Sequence, residues 1–179
     1  MTHRSLALIA MLSCGVMTSA ASQQMAEPKK SPPNNATSMI RSQLDGRWTL
    51  VALDMYSADG KHITPEATGR LDADEYGNLN VEYRMSETGR KEMATTIGMV
   101  QPTPIVSTTG KVVVNPQNHE IVYVDQNQKP FDAKIAADKQ NPFSLHRIRY
   151  YEFDGEFLVL TTRHDNDKPA AVSRWKRME

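Results

Sequence analysis

Three tyrosines and one histidine are the side chains best placed for chemistry in this chain. Tyr83, Tyr123, His146 and Tyr150 each lie in a segment where apolar residues alternate with polar ones. Strand alternation would turn these four side chains toward the same face as their apolar neighbours. A ring of phenol hydroxyls with one imidazole can hold the polar head group of a ligand in an otherwise apolar pocket. The same side chains can instead fill a core, with their hydroxyls reaching a wet rim or a backbone partner.

A carboxylate near the first predicted strand raises catalysis as an alternative. If that strand is regular, Asp54 shares a face with Trp48, and a carboxylate inside a fold is a candidate general acid or base. An isomerase, cyclase or dehydratase would draw on that carboxylate and on Tyr123, His146 and Tyr150. If the strand ends at this point, Asp54 lies at the wet rim. No residue is therefore assigned a catalytic role, and no nucleophile-elbow, P-loop or dinucleotide-binding motif occurs in the sequence.

The histidines do not follow a metal-binding pattern. His62, His119, His146 and His164 lie on different predicted elements, and no pair has H-x-H or H-x-x-x-H spacing. The one cysteine, Cys14, lies in the N-terminal segment and cannot complete a site with them. We therefore expect neither a metal nor a cofactor.

The sequence predicts strands separated by turns over most of the region that must position these side chains. Turn signals occur at residues 59–60, 76–78, 115–118 and 154–155, and the last of these is an Asp-Gly pair, which is typical of a hairpin. Eight strands are predicted, at 48–55, 70–73, 79–83, 111–114, 120–125, 146–153, 157–162 and 171–177. Short strands at this spacing indicate an all-β barrel or sandwich.

Aromatic and basic residues at the two ends of this region favour a closed barrel. Leu44, Gly46 and Trp48 form an L-x-G-x-W pattern at the first strand, and the last strand contains Trp175 and Arg177. A tryptophan in the first strand and an arginine in the last can meet only if the sheet closes, because an open meander puts those strands at opposite edges. The guanidinium would then lie across the indole in a cation–π contact. Four residues are predicted to close the barrel: Gly46, Trp48, Trp175 and Arg177.

Two longer segments interrupt the strand pattern. Residues 86–104 predict a short helix followed by an extended crossing. Residues 130–142 place Phe131 and Ile135 at helical spacing between two prolines. Both segments can be lids over the mouth of a barrel or ordinary insertion loops. As loops, they would cover apolar rim surface through Phe131, Ile135 and Phe143.

The N-terminal part of the chain predicts export. Residues 1–21 have a basic start, a short apolar run and small residues at 19–21, which is the pattern of a signal peptide. Residues 22–40 predict a flexible linker, and residues 41–179 the barrel domain. We expect a periplasmic or secreted protein. Because the residues around Cys14 resemble a bacterial lipobox, the alternative is a lipid anchor through Cys14.

With these elements placed, residues 43–178 resemble the lipocalin-like domain family of the calycin superfamily. The residues that carry the resemblance are Leu44-Asp45-Gly46-Arg47-Trp48, Gly69-Arg70-Leu71, Gly77-Asn78-Leu79, Tyr151-Glu152-Phe153-Asp154-Gly155 with Leu158 and Leu160, and Trp175-Lys176-Arg177. The resemblance implies an up-and-down, eight-stranded antiparallel β-barrel with one or two short helical segments added. It also implies an interior that can hold a small, largely apolar molecule.

Three functions follow from these observations. The leading hypothesis is an exported barrel that binds a small hydrophobic or amphipathic ligand through Tyr83, Tyr123, His146 and Tyr150. The alternatives are an enzyme on the same barrel and a packed barrel that acts as an envelope structural module. Lys and Arg together number 21, as do Asp and Glu, and this balance favours neither a nucleic-acid surface nor a polybasic membrane patch. Membrane contact is expected only through the lipid anchor, and no oligomeric state is predicted.

Overall fold

The fold is an antiparallel β-barrel of eight strands, as the sequence predicts. A computed structural model describes residues 35–100, 103–126 and 141–179. The helical elements are α1 (Asn35–Leu44), α2 (Glu87–Glu92) and a π-helical turn (Met93–Ile97). The strands are β1 (Gly46–Tyr56), β2 (His62–Ile63), β3 (Ala67–Ala73), β4 (Asn78–Met85), β5 (Ile105–Asn115), β6 (Glu120–Val124), β7 (Ile148–Asp154), β8 (Phe157–Arg163) and β9 (Pro169–Arg177). The two-residue β2 lies beside the end of β1 and is additional to the eight barrel strands.

The barrel closes between its first and last strands. The strands follow one another in the order β1-β3-β4-β5-β6-β7-β8-β9, and β9 pairs with β1 again. Trp48 lies opposite Arg177 in this last pairing, and Leu50 lies opposite Trp175. The predicted closure is therefore confirmed. Closure leaves no unpaired edge among the barrel strands, which removes a template for aggregation.

The strands form where the period-two pattern of the sequence is clearest. Along β4, Leu79, Val81 and Tyr83 are buried, while Asn80 and Arg84 between and beyond them are exposed. The hairpin between β7 and β8 has a two-residue loop, Gly155 and Glu156, because Asp154 pairs with Phe157. Gly155 has φ +61°, a conformation that glycine adopts without strain.

Helix α1 corrects one predicted boundary. Residues 35–40 of the predicted linker belong to this helix, which packs Ile40 and Leu44 against the core. Their i, i+4 spacing places both on one side of the helix. The indole Nε1 of Trp48 donates a hydrogen bond of 2.9 Å to the carbonyl of Leu44, which ties the helix to β1. The predicted signal peptide, Cys14 and the rest of the linker lie outside the described residues.

A β-bulge in β1 excludes the inward position for Asp54, one of the two positions left open by the sequence. The register against β9 shifts between Leu50 and Ala52, so the inward face passes from Leu50 to Leu53 and Met55. Asp54 therefore does not share a face with Trp48. An extra residue in a strand reverses the alternation beyond it, and a strictly regular pattern cannot anticipate that.

The two ends of the barrel differ. At one end, which we call the α1 end, lie helix α1 and the β3–β4, β5–β6 and β7–β8 hairpins. At the opposite end, which we call the far end, lie the β4–β5 and β6–β7 connections. The first connection contains α2 and the π-helical turn, which confirm the helix predicted within residues 86–104. Residues 101 and 102 of the predicted extended crossing lie outside the described residues. Residues 130–140 of the other predicted lid are outside the described part of the chain. Within the described residues, no helix has the length and apolar character needed to cross a membrane.

Candidate functional site

Three polar side chains meet inside the barrel near its far end. Tyr83 lies near the end of β4, Tyr123 near the end of β6 and Arg149 near the start of β7. All three are buried, with exposed fractions of 6%, 1% and 3%. The rest of this interior is lined mainly by apolar residues of the core. We call these three residues the polar cluster.

Arg149 is the centre of the polar cluster and was not predicted from the sequence. Its guanidinium carbon lies 3.8 Å from the centroid of the Tyr123 ring, in a cation–π contact. Its Nη1 donates to the carbonyl of Arg147 at 2.9 Å, and its Nη2 donates to the carbonyl of Ser144 at 3.1 Å. No aspartate or glutamate of the described residues forms an ion pair with it. Burial lowers the pKa of Arg149, because removal from water disfavours the charged form.

The phase of β7 explains why Arg149 points inward. Phe153 pairs with Leu158, and Tyr151 pairs with Leu160. Leu158 and Leu160 form the buried face of β8, so their partners on β7 share that face. Arg149 lies two residues before Tyr151 on the same strand, so alternation places its side chain on the same inward face. The Asp154-Gly155 hairpin signal could have identified this face from the sequence but not the register, because the loop in the structure is Gly155-Glu156.

Tyr123 presents an unsatisfied hydroxyl to this interior. The Tyr123 hydroxyl is buried and has no hydrogen-bond partner in the part of the chain that the structure describes. Burial raises the pKa of Tyr123, and the nearby Arg149 lowers it by less. The hydroxyl therefore keeps its proton in neutral solution and can act as a donor. A buried polar group without a partner is costly, and in native proteins it calls for an explanation.

Tyr83 joins the polar cluster to the aromatic core. Its ring lies 4.6 Å from Phe143 and 5.3 Å from Trp175, measured between centroids. The Trp175 indole donates to the Ser173 hydroxyl at 2.9 Å. Burial raises the pKa of Tyr83, while Arg149 and hydrogen bonding with Ser173 lower it by less. Phe143 covers Tyr83 from the β6–β7 connection, consistent with its predicted place over apolar surface.

Two of the four predicted binding residues lie elsewhere. Tyr150 is half-buried on the outer wall, where the Arg163 guanidinium carbon lies 4.2 Å from its ring centroid. The sequence placed it inward with Ile148, but Ile148 is exposed and the inward face belongs to Arg149. His146 precedes β7 instead of lying within it, and its backbone, at φ +60°, donates a hydrogen bond of 2.7 Å to the Tyr123 carbonyl. Of the four predicted side chains, the polar cluster therefore contains those of Tyr83 and Tyr123, while His146 contacts Tyr123 through its backbone.

Three of the four predicted closure residues, Gly46, Trp48 and Arg177, meet at the α1 end, while the fourth, Trp175, contacts Tyr83 of the polar cluster. The Arg177 guanidinium carbon lies 4.3 Å from the centroid of the Trp48 ring, and its Nη atoms donate to the carbonyls of Gln43 and Asp45. Gly46 has φ +121°, and a Cβ at this position would lie 2.7 Å from Arg177 Nη1. These contacts stabilise closure, so they account for the fold and not for a ligand.

Asp54 takes part in a separate surface arrangement. Its Oδ1 accepts a hydrogen bond of 2.7 Å from the Thr64 hydroxyl and lies 2.9 Å from His62 Nε2. The His62 ring stacks on Tyr56 with a centroid separation of 4.6 Å. The arrangement is partly exposed to solvent and belongs to β1, β2 and the residues around them. Across the described ranges, no three potential metal ligands among His, Cys, Asp and Glu come together.

Comparison with known proteins adds no relative. No protein-family model matches the chain, and no curated protein matches it. The likeness to lipocalin-like domains therefore rests on the anchor residues of the sequence and on the barrel itself.

Proposed function

We propose that this protein is an exported, lipocalin-like carrier that binds a small amphipathic molecule inside its barrel. The observation that supports it most directly is the unsatisfied Tyr123 hydroxyl, buried next to Arg149 among apolar side chains. Ligand pockets commonly combine mostly apolar walls with a few polar groups that orient the ligand. The polar cluster is such a set of groups, and it lies at the far end, beside the two long connections.

The binding energy would come mainly from burial of the ligand's apolar surface. Each Å² of apolar area removed from water contributes roughly 25 cal/mol. The polar cluster would set the ligand's orientation, because satisfying a buried hydroxyl and a buried guanidinium removes a cost already present in the free protein. The core aromatics Trp175 and Phe143, which contact Tyr83, would line the transition from polar to apolar surface.

A carrier is favoured over an enzyme on the same barrel. The carboxylate considered as an interior acid or base, Asp54, is turned away from the polar cluster and engaged with Thr64 and His62. Burial raises the pKa of Tyr83 and of Tyr123, which makes both poor bases in neutral solution. The polar cluster can donate hydrogen bonds and positive charge, and this suits recognition of a head group better than proton abstraction.

Native mass spectrometry of the protein purified from its source tests the carrier. The expected result is a reproducible additional mass that organic extraction removes, together with binding of the neutral dye Nile red by the extracted protein. Tyr123→Phe should reduce ligand retention, whereas Tyr150→Phe, which removes a hydroxyl from the outer wall, should not. A barrel that is reproducibly empty and does not bind Nile red would favour the envelope structural module instead.

Export is a separate part of the proposal. Mass measurement of the mature N-terminus distinguishes its two forms, because a start near Ala21 or Ser22 means a soluble exported protein. A diacylated Cys14 at the first position means a lipid-anchored one. An uncleaved N-terminus on the protein from its source would contradict both.

A further inference from the structure

Arg149 carries a charge for which the described barrel supplies no counter-ion. Its side chain is 3% exposed, and among the described residues its guanidinium contacts a tyrosine ring and two backbone carbonyls. A buried guanidinium in such surroundings is stabilised much less than one that faces a carboxylate. The contacts with Ser144 and Arg147 explain how the side chain is held in place, but they leave its charge uncompensated.

The guanidinium also has hydrogen-bonding capacity to spare. Arginine has five N–H donors in one plane, and two bonds to the carbonyls of Arg147 and Ser144 use only part of them. No other acceptor among the described residues bonds to Arg149. The planar fork of guanidinium donors suits an acceptor with two oxygens, such as a carboxylate.

Tyr123 adds an independent sign of a missing acceptor. Its ring lies under the guanidinium, so its hydroxyl is at the edge of the same small region, and that hydroxyl has no described partner. A protonated phenol and an arginine both donate. A hydroxyl without a described partner beside a guanidinium with donors to spare points to one acceptor that would serve both, and a negatively charged acceptor would balance Arg149.

We infer that the polar cluster binds the carboxylate of an amphipathic acid, with Arg149 as the charge partner and the Tyr123 hydroxyl as a second donor. The inference rests on the proposed carrier function and specifies the class of its ligand. A carboxylate fits better than a phosphate, because the polar cluster itself contains a single guanidinium. The guanidinium of the neighbouring Arg147 is held by the Arg163 carbonyl.

A set of three probes with the same tail tests the head group directly. The probes are pyrene-labelled dodecanoic acid, the matching alcohol and the matching phosphate monoester, titrated into the extracted protein at neutral pH with fluorescence as the readout. We expect the acid to bind about tenfold more tightly than the alcohol, the effect of one charge-assisted hydrogen-bonded pair. The phosphate monoester should bind more weakly than the acid.

Arg149→Gln should remove the preference for the acid without weakening the binding of the apolar tail. The acid is expected to lose about tenfold in affinity and the alcohol to change by less than about twofold. Arg163→Gln is the matched control, since Arg163 also stacks on a tyrosine, Tyr150, but on the outer wall. The control should keep the preference for the acid.

Tyr123→Phe keeps the inference testable if Arg149→Gln does not fold. It retains the ring under Arg149 and removes only a hydroxyl without a described partner, so the barrel should remain intact. We expect it to lower affinity for the acid by about tenfold, the effect of one hydrogen bond to a charged acceptor, and to leave the alcohol unchanged.

The possible failures separate the two proposals. Equal affinity for acid and alcohol in the unmutated protein would overturn the carboxylate site and leave the carrier standing. Tighter binding of the phosphate monoester would overturn the choice of carboxylate. Binding of none of the three probes, together with no binding of Nile red, would overturn the carrier and with it the inference.

Discussion

The contact between Arg177 and Trp48 joins the first and last barrel strands through side chains as well as through the backbone. The guanidinium carbon lies 4.3 Å from the indole centroid, and its Nη atoms donate to two carbonyls at the end of α1 and just beyond it. Arg177 is exposed, so water competes for part of this interaction. Trp48 is 2% exposed and provides the buried side of the contact.

Arg177→Met should therefore destabilise the barrel measurably. Loss of the cation–π contact and of the carbonyl hydrogen bonds should lower the free energy of unfolding by about 1–2 kcal/mol in urea denaturation. The neighbouring Lys176→Met is the control, because Lys176 makes one exposed ion pair with Glu156 at 3.3 Å and should change stability by less than about 0.5 kcal/mol. Equal effects of the two substitutions would mean that Arg177 makes no special contribution to closure.

Tyr123 makes stability depend on alkaline pH. Burial raises the pKa of Tyr123, so above pH ~10 the unfolded chain loses this proton while the folded protein keeps it. The folded state then binds more protons, and the free energy of unfolding falls as pH rises. Below pH ~10 both states are protonated, and this contribution to the pH dependence disappears.

Tyr123→Phe should reduce that alkaline loss. One such tyrosine contributes a slope of about 1.4 kcal/mol per pH unit in the window above pH ~10, and the variant should lack that part. At pH 7 it should be as stable as the unmutated protein or about 1 kcal/mol more stable, because it removes an unsatisfied hydroxyl. Chemical denaturation at pH 7, 10 and 11 measures both effects. A loss of more than about 1 kcal/mol at pH 7 would show that the hydroxyl has a stabilising partner.

At the scale of elements, β5 pairs with β4 along its first part and with β6 along its last part. Residues up to Lys111 pair with β4, and residues from Lys111 onward pair with β6. Gly110, on the inward face at this changeover, allows the end of β6 to approach closely. A Cβ at this position would lie 2.1 Å from the carbonyl oxygen of Val124. The approach of two backbones, and not a special φ angle, is what requires glycine here.

Gly110→Ala should consequently force the end of β6 to move. We expect the free energy of unfolding to fall by about 3 kcal/mol, at the upper end of the usual cost of overpacking. Tyr123 precedes Val124, so the change should also disturb its contact with Arg149. Val113→Ala on the same strand is the control, because Val113 is 50% exposed, and its effect should stay within about 1 kcal/mol. Thermal and urea unfolding of both variants decide the point.

At the scale of the whole molecule, β9 connects the two sides of the closure. It pairs with β8 over residues 157–163 and with β1 over residues 48–55. Trp175 belongs to both pairings and is fully buried. Loss of β9 would open two edges at once and expose the core along the whole barrel.

Deletion of residues 173–179 should therefore prevent folding of the whole barrel and not only of its last strand. Near-ultraviolet circular dichroism should lose its aromatic signal, since Tyr83 and Trp175 are in contact in the folded protein. Deletion of only Met178 and Glu179 is the control, and it removes one hydrogen bond of 2.8 Å from the Met178 amide to the Arg47 carbonyl at a cost of about 1 kcal/mol. A shorter chain that keeps native aromatic dichroism would mean that the remaining strands form a stable open sheet.

The sequence alone determines the barrel and its closure, because these depend on local and repeated signals. Alternating apolar residues define the eight strands, turn residues separate them, and the Trp48 and Arg177 pattern requires that the first and last strands meet. The alternation and the turn residues can each be read within a few residues, and the closure signal compares two short motifs at the two ends of the barrel region.

The candidate site, in contrast, is decided by the tertiary structure. Which face of a strand points inward depends on register and on irregularities, and a shift of one residue exchanges the two faces. The bulge after Leu50 turned Asp54 outward, and the pairing of β7 with β8 exchanged Tyr150 for Arg149. The register between β6 and β7 places Arg149 against Tyr123, and no local turn signal gives this register because a long connection joins the two strands.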